Sequence, residues 1–322
     1  MTNITSIYAD IVLRVLESKK YIKVVRNIAM GLLAVVILLL IIVIFGFFTA
    51  RDRAVLFSPS QKLDFGGNTR TYRAYVPKNI SSNPKMIFAF HGLGSDGRQM
   101  AYFSALHNST DTNTIVVYPD ATKSIKPGIR PGWNSGFCCG SGLVDKVDDI
   151  GYVKALVDQL SKKYSVNSDN IYATGFSSGA MLVQRIATDE PRLFAGYVSV
   201  AGNIGTVGNE LKPSHPVPIL HIHGQQDNIV PYDGGEGGSD PKLMWGNFDK
   251  TVKTWEIIND CKDSRINDQS DTITTTYKAC EMPLKTIVYK NKGHIWPDWR
   301  LGNLWHKNPN GNKEIIDFLN SL

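Results

Sequence analysis

Apolar and polar positions divide the chain into two unlike parts. Residues 28–48 form one apolar run without a charged side chain. At ~1.5 Å per residue such a run reaches roughly the ~30 Å of a bilayer core. A buried core helix of that length would normally carry a polar face, and this one has none, so a transmembrane helix is expected. Upstream, Ile4, Ile7, Tyr8, Ile11, Val12 and Val15 fall at helical spacing. They predict a helix over 4–17 that lies on the inner membrane surface or simply leads into the span. Beyond residue 53 the pattern changes to short apolar runs at 72–76, 86–90, 114–118, 171–174, 196–200, 218–222 and 284–289, which read as strands. Residues 150–163 have helical spacing at Val153, Leu156, Val157 and Leu160, 178–187 form a second helix, and 312–322 close the chain with Ile315, Ile316, Phe318 and Leu319 inward. Strand and helix in alternation predict a mostly parallel sheet with helices on both faces, whose sites form at the carboxyl ends of the strands. The stretch 233–241 is glycine-rich and reads as a loop. No internal repeat and no second globular domain is evident. The expected layout is an inner segment 1–27, a span 28–48 and a catalytic domain 54–322.

Charge sharpens this picture. The net charge is +6, but residues 1–53 hold seven Lys/Arg against three Asp/Glu, which is +4, so the remaining residues carry only +2. The basicity is a topology signal, and no nucleic-acid partner is expected. Arg14, Lys19, Lys20, Lys23 and Arg26 precede the span, while Arg51 and Arg53 follow it. The excess places the N-terminus inside and the large C-terminal part outside. A cleaved signal peptide is the rival reading. Its apolar region should be about 7–15 residues and end in a small-x-small site, whereas Phe48 stands two before Ala50. An uncleaved anchor therefore fits better than secretion after cleavage. The four cysteines, Cys138, Cys139, Cys261 and Cys280, all fall on the expected outer side, where disulfides persist. Cys261–Cys280 would close a local polar loop and is the preferred bridge; the state of the adjacent Cys138 and Cys139 is open. No cysteine or histidine spacing suggests a metal site, and no cofactor is expected.

The chemistry centres on Gly175-Phe176-Ser177-Ser178-Gly179, directly after the apolar run 171–174. Gly-x-Ser-x-Gly at a strand-to-helix turn is the nucleophile elbow of an α/β-hydrolase. The serine needs a base, and the base needs an orienting acid, in the order Ser, Asp, His. Asp227 follows the buried strand 218–222, with Asp233 and Asp240 in reserve. His294 follows the strand 284–289 and is the base candidate. His221 and His223 share a strand face and read as packed residues rather than ligands. Upstream, His91-Gly92-Leu93-Gly94 ends the strand 86–90, nominating the Leu93 and Ser178 N–H groups as oxyanion donors, with His91 holding the loop. Asp148 and Asp149 read as a helix N-terminal feature. Trp133 and Trp296 are candidates for a substrate wall, with core packing an equal alternative.

Together these residues carry a family resemblance over about residues 60–320. Gly132-Trp133-Asn134 with Cys138-Cys139-Gly140 is similar to the "GWN…CCG" segment of the poly(3-hydroxybutyrate) depolymerase and feruloyl esterase family. Val147-Asp148-Asp149-Ile150-Gly151-Tyr152 resembles its "VDDVGF", Ala173 to Met181 its "ATGxSNGA" elbow, and Gly293-His294-Ile295-Trp296-Pro297 its "GHTWP". Ser178 stands where the family has Asn, and Ile295 where Thr is common; either change can shift substrate preference. The resemblance implies an α/β-hydrolase that cleaves carboxylic esters through Ser177, His294 and Asp227. Polyhydroxyalkanoate pieces, feruloyl or acetyl esters of plant polysaccharide and small aryl esters all fit. The absence of a separate substrate-binding domain favours small or oligomeric esters. A prolyl-oligopeptidase-like peptidase and a non-catalytic surface module on a hydrolase scaffold are the alternatives. The expected partners are thus an ester substrate and, through residues 28–48, the lipid bilayer.

Overall fold

The computed structural model describes residues 4–238, 243–298 and 310–322; the reserve candidate Asp240 and His306 lie outside them. The chain divides into two compact units, Met1–Ala50 and Arg51–Leu322. In the first, α1 (Ile4–Phe47) is one continuous helix, so the two helical stretches expected at 4–17 and 28–48 are joined without a break. Within it Ile22–Leu39 is long and apolar enough to cross a membrane by length and composition.

The second unit begins three residues before the expected boundary. Its first helix, α2 (Ala50–Leu56), is tied to the domain by Arg51, which donates to the carbonyls of His107 and Thr110 at 2.9 and 2.7 Å. The buried Asp52 accepts from Asn108 at 3.0 Å and pairs with His107 Nε2 at 3.0 Å. A ten-stranded sheet follows, built from β1 (Gln61–Phe65), β2 (Asn68–Tyr75), β3 (Lys85–Phe90), β4 (Thr114–Pro119), β5 (Ile171–Phe176), β6 (Gly196–Val200), β7 (Ile219–Gly224), β8 (Asp263–Asp268), β9 (Thr272–Lys278) and β10 (Leu284–Tyr289). Its order is β1-β2-β4-β3-β5-β6-β7-β10-β9-β8. The strands from β4 to β10 are parallel, and antiparallel pairs flank them at both edges.

The central strands are Val, Ile, Phe and Ala-rich, and β4, β6 and β7 are buried at every position. Consecutive residues of a strand face opposite ways, so full burial means that both faces of the sheet are covered. Helix α3 (Gly97–Ser104) follows β3, with Asp96 accepting from Gln99 N at its start. Helix α4 (Asp149–Tyr164) starts on an Asp148 cap that accepts from Gly151 N. It buries Tyr152, Val153, Leu156, Val157 and Leu160, one stripe at helical spacing. Helix α5 (Ser178–Asp189) is buried along most of its length, as expected of the helix behind an elbow. Both contribute to the main core with Phe88, Phe90 and Ile171. Helices α6 (Phe248–Ile258) and α7 (Gly311–Asn320) complete the domain.

Residues 239–241 of the glycine-rich stretch lie outside the described residues, and part of the rest forms a strand rather than the expected loop. Gly235–Glu236 pairs antiparallel with Met244–Trp245, which pairs in turn with Gly205–Thr206. The bridge Cys261–Cys280 is present and ties the base of the β8–β9 hairpin, while Cys138 and Cys139 are paired with each other across a cis peptide bond. Replacing both Cys261 and Cys280 by Ser should lower unfolding stability by about 3 kcal/mol, the usual effect of opening a loop of this size. Urea denaturation of the variant against the parent, without reductant, measures it.

Candidate functional site

Ser177 stands between the last residue of β5 and the first of α5, at φ 55° and ψ −120°. That backbone is strained for a residue with a side chain, and it persists because the surroundings hold it. Two glycines make the turn possible. A Cβ on Gly175 would collide with the Gly179 carbonyl, and a Cβ on Gly179 would collide with the carbonyls of Phe90 and His91. Residues of β3, β5 and α5 therefore touch backbone to backbone beneath the serine. Ser177 N donates to Val200 O at 2.9 Å and its own carbonyl accepts from Met181 N at 3.0 Å, which pins the bend.

The loop after β3 abuts this turn, since a Cβ on Gly92 would lie 3.4 Å from Ser177 Cβ. His91 holds the loop, as expected. Ala121 N donates to its Nε2 at 3.0 Å, so Nδ1 carries the proton and donates to Gly92 O at 2.7 Å. Burial pushes its pKa down, which keeps it neutral. Gly94 N donates to Pro131 O at 2.7 Å and fixes the far end of the loop. Leu93 lines the cavity above the turn. Ser178, buried, is the first residue of α5, so its N–H has no acceptor within the helix.

The third part comes from the strands that lie beyond β5, on the side away from β3. Asp227 leaves β7 in a turn in which its Oδ1 accepts from Ile229 N at 2.8 Å and Val230 N at 2.9 Å. Its Oδ2 lies 2.8 Å from His294 Nδ1. The carboxylate is fully buried, and the imidazole is 13% exposed. Burial opposes the charge on Asp227, but hydrogen bonds and the nearby imidazoles of His223 and His294 outweigh it and hold the carboxyl well below the usual aspartate range. The bond to Asp227 occupies His294 Nδ1 and leaves Nε2 to face a reacting group. The His294 ring packs on Phe176, the residue before Ser177, with centroids 4.9 Å apart. Ser177 and His294 line one cavity of about 610 Å³, and Asp227 lies behind His294. The reserve residue Asp233 does not line that cavity.

The two tryptophans separate. Trp296 lines the cavity and donates from Nε1 to Asn312 Oδ1 at 2.8 Å. Trp133 does not line it. It is fully buried, sits edge-on to Phe90 at 5.4 Å, and donates from Nε1 to His91 O at 2.9 Å. The substrate-wall expectation for Trp133 is therefore replaced by a scaffold role behind the His91–Gly94 loop. Asp149 also does more than begin a helix. It pairs with Arg70 at 2.9 Å and accepts from Asn134 N at 2.8 Å, so it anchors the segment that carries Trp133. Of the cavity walls, Met100, Phe103, Leu243 and Trp245 lie outside every motif read from the sequence, and Met181 ends the elbow motif without being marked there as a wall. Among the described residues no cluster of His, Cys, Asp and Glu is arranged to hold a metal ion.

The profile of a family described as phospholipase/carboxylesterase matches residues 73–240. NocK of Nocardia uniformis subsp. tsuyamanensis, a protein named as an esterase, is 30% identical over 252 residues, 72% of each chain. Acetylxylan esterase A of Emericella nidulans is 31% identical over 225 residues, 63% of this chain and 69% of that one. Feruloyl esterase B of Piromyces equi is 27% identical over 182 residues, 53% of this chain and 32% of its own length. A solved acetyl xylan esterase from Aspergillus awamori has a TM-score of 0.56 at 20% identity, covering 81% of this chain and 99% of that one, which shows a shared fold.

The depressed Asp227 pKa has a consequence for stability. A carboxyl held below its ordinary value of 3.8 stabilises the fold above that pH, and the contribution is lost as pH falls below it. Asp227→Asn should therefore be less stable than the parent at pH 7 by on the order of 2 kcal/mol. The gap should narrow below about pH 4, as urea melts at pH 7, 4 and 3 would read directly.

Proposed function

The chain belongs to the phospholipase/carboxylesterase family and is a carboxylic ester hydrolase, and from that premise we propose that it works through a Ser177–His294–Asp227 triad and an acyl-enzyme. The observation that carries this reading is the 2.8 Å contact of His294 Nδ1 with Asp227 at the same cavity as a serine on a strained turn.

His294 Nε2 takes the proton from Ser177 Oγ as the oxygen attacks the ester carbonyl. Asp227 keeps the Nδ1 proton in place and stabilises the imidazolium without taking that proton. The negative oxygen of the tetrahedral intermediate accepts from the N–H groups of Leu93 and Ser178, which are worth about 2.7–4 kcal/mol each when one is removed. Collapse expels the alcohol, protonated by His294, and water then repeats the sequence on the acyl-enzyme.

The cavity is walled by Met100, Phe103, Phe176, Met181, Leu243 and Trp245, which suits an apolar or aromatic acyl group larger than acetyl. Feruloyl and related esters on a small or oligomeric alcohol, and hydroxyalkanoate oligomers, are the proposed substrates. The name of a feruloyl esterase among its relatives supports the feruloyl side of that range. Purified full-length chain in non-ionic detergent should hydrolyse methyl ferulate with higher kcat/KM than p-nitrophenyl acetate. Ser177→Ala should lose roughly 10⁴-fold or more in kcat. Unchanged turnover in that variant would reject Ser177 as nucleophile, and no turnover of any ester by the folded chain would reject the mechanism.

The domain layout belongs to the same proposal. Residues 28–48 anchor the chain in a bilayer, with residues 1–27 inside and the catalytic domain, 54–322, outside. The absence of charge in 28–48 and the basic cluster before it support this. Full-length protein should stay in the membrane pellet after alkaline carbonate washing. Protease added outside intact cells should remove the catalytic domain; protection of that domain would reverse the orientation.

A further inference from the structure

Of the paired histidines on β7, His221 has neither ring nitrogen bonded among the described residues, and burial holds its pKa down to about 3. His223, on the same strand face, is placed differently. Its Nε2 lies 2.9 Å from Val230 O and 3.4 Å from Asp227 Oδ2, the oxygen that also meets His294. We propose that His223 is a positioning residue for the triad, clamping the Asp227 turn so that the carboxylate presents Oδ2 to His294. This rests on the proposed triad.

The chemistry of the contact fixes the tautomer. A carbonyl oxygen only accepts, so Nε2 must carry the proton. Nδ1 is buried with no partner among the described residues, and the ring stands against Phe248 at 5.2 Å and Tyr232 at 6.2 Å. Nδ1 meets only these apolar faces, so Nε2–H is the donor that the ring offers to the turn. Its single N–H points between the Val230 carbonyl and the Asp227 carboxylate. The Val230 N–H in turn donates to Asp227 Oδ1 at 2.9 Å. His223, Asp227 and Val230 thus form a closed ring of contacts. Ile229 and Val230, inside that turn, also line the cavity. The ring holds the carboxylate through Oδ1 and through the same Oδ2 that meets His294. His223 touches neither the substrate cavity nor Ser177, so it acts through Asp227.

The test is a double-mutant cycle on the full-length chain in detergent, with a p-nitrophenyl ester as the probe. His223→Phe keeps the ring volume and removes the donor; His223→Gln keeps an N–H donor. His223→Phe should lower kcat about tenfold, the loss expected for a hydrogen bond to a charged group, with KM little changed. His223→Gln should recover most of that loss. In an Asp227→Ala background, His223→Phe should cost nothing further, because its effect passes through the missing carboxylate. If His223→Phe fails to fold, His223→Asn, whose shorter amide falls short of both acceptors, replaces it. Full additivity with Asp227→Ala, no recovery with Gln, or no kcat loss would each overturn the proposal while leaving the triad standing. If Asp227→Ala itself leaves kcat unchanged, the triad reading and this proposal fall together.

Discussion

The close approach of three backbones beneath Ser177 is the constraint on which the rest of the site depends. The end of β3, the end of β5 and the start of α5 come within contact of one another because Gly175 and Gly179 have no Cβ. Once the Phe90 and His91 carbonyls rest on Gly179, the loop that leaves β3 can only run beside Ser177. The proposed nucleophile and its oxyanion loop are therefore coupled by packing, not brought together by chance. The positive φ of Ser177 is strain stored at this junction, and the nearly continuous burial of α5 holds it there.

A second tier keeps the loop in place. Trp133 reaches beneath it to the His91 carbonyl, and the segment carrying Trp133 is tied down in turn. Asp149 binds Asn134 N, Asn134 Nδ2 reaches the Val147 carbonyl, and Arg185 binds the Asn134 carbonyl. A buried ion pair such as Arg70–Asp149 is weak evidence of net stability, but here its carboxylate also supplies an acceptor to the wrapped segment. The same economy marks the acid of the proposed triad. Each oxygen of Asp227 has a donor, so the burial that would otherwise raise its pKa is outweighed.

The parallel core was legible because its strands are short, apolar and β-branched, and burial on both faces leaves no polar alternation to confuse them. The boundaries of β6 and β10 came out as read. The edges were not legible. Strand β8 is exposed throughout, and β9 is a threonine-rich run of intermediate burial, so neither carries the hydrophobic signal that marks a strand. Helix α6 was missed although Phe248, Val252 and Trp255 are buried on one face, because Lys, Asp and Thr dilute that short stripe. Trp133 could be nominated for the site but not assigned, since a tryptophan's neighbours decide whether it walls a cavity or supports a loop.

The sequence by itself determined the local devices: the glycines that permit the elbow, the caps that start helices, the apolar run of α1 and the order in which Ser177, Asp227 and His294 occur. These follow from steric and hydrophobic rules that act within a few residues. Only the tertiary structure decided which groups meet. Asp227 and His294 are 67 positions apart and join because β7 and β10 are parallel neighbours whose exit loops leave the sheet at the same end. His223 was separated from His221 in the same way, by what the Asp227 turn places against one ring and not the other. Such contacts arise from the packing of the whole sheet, and no short stretch of residues encodes them.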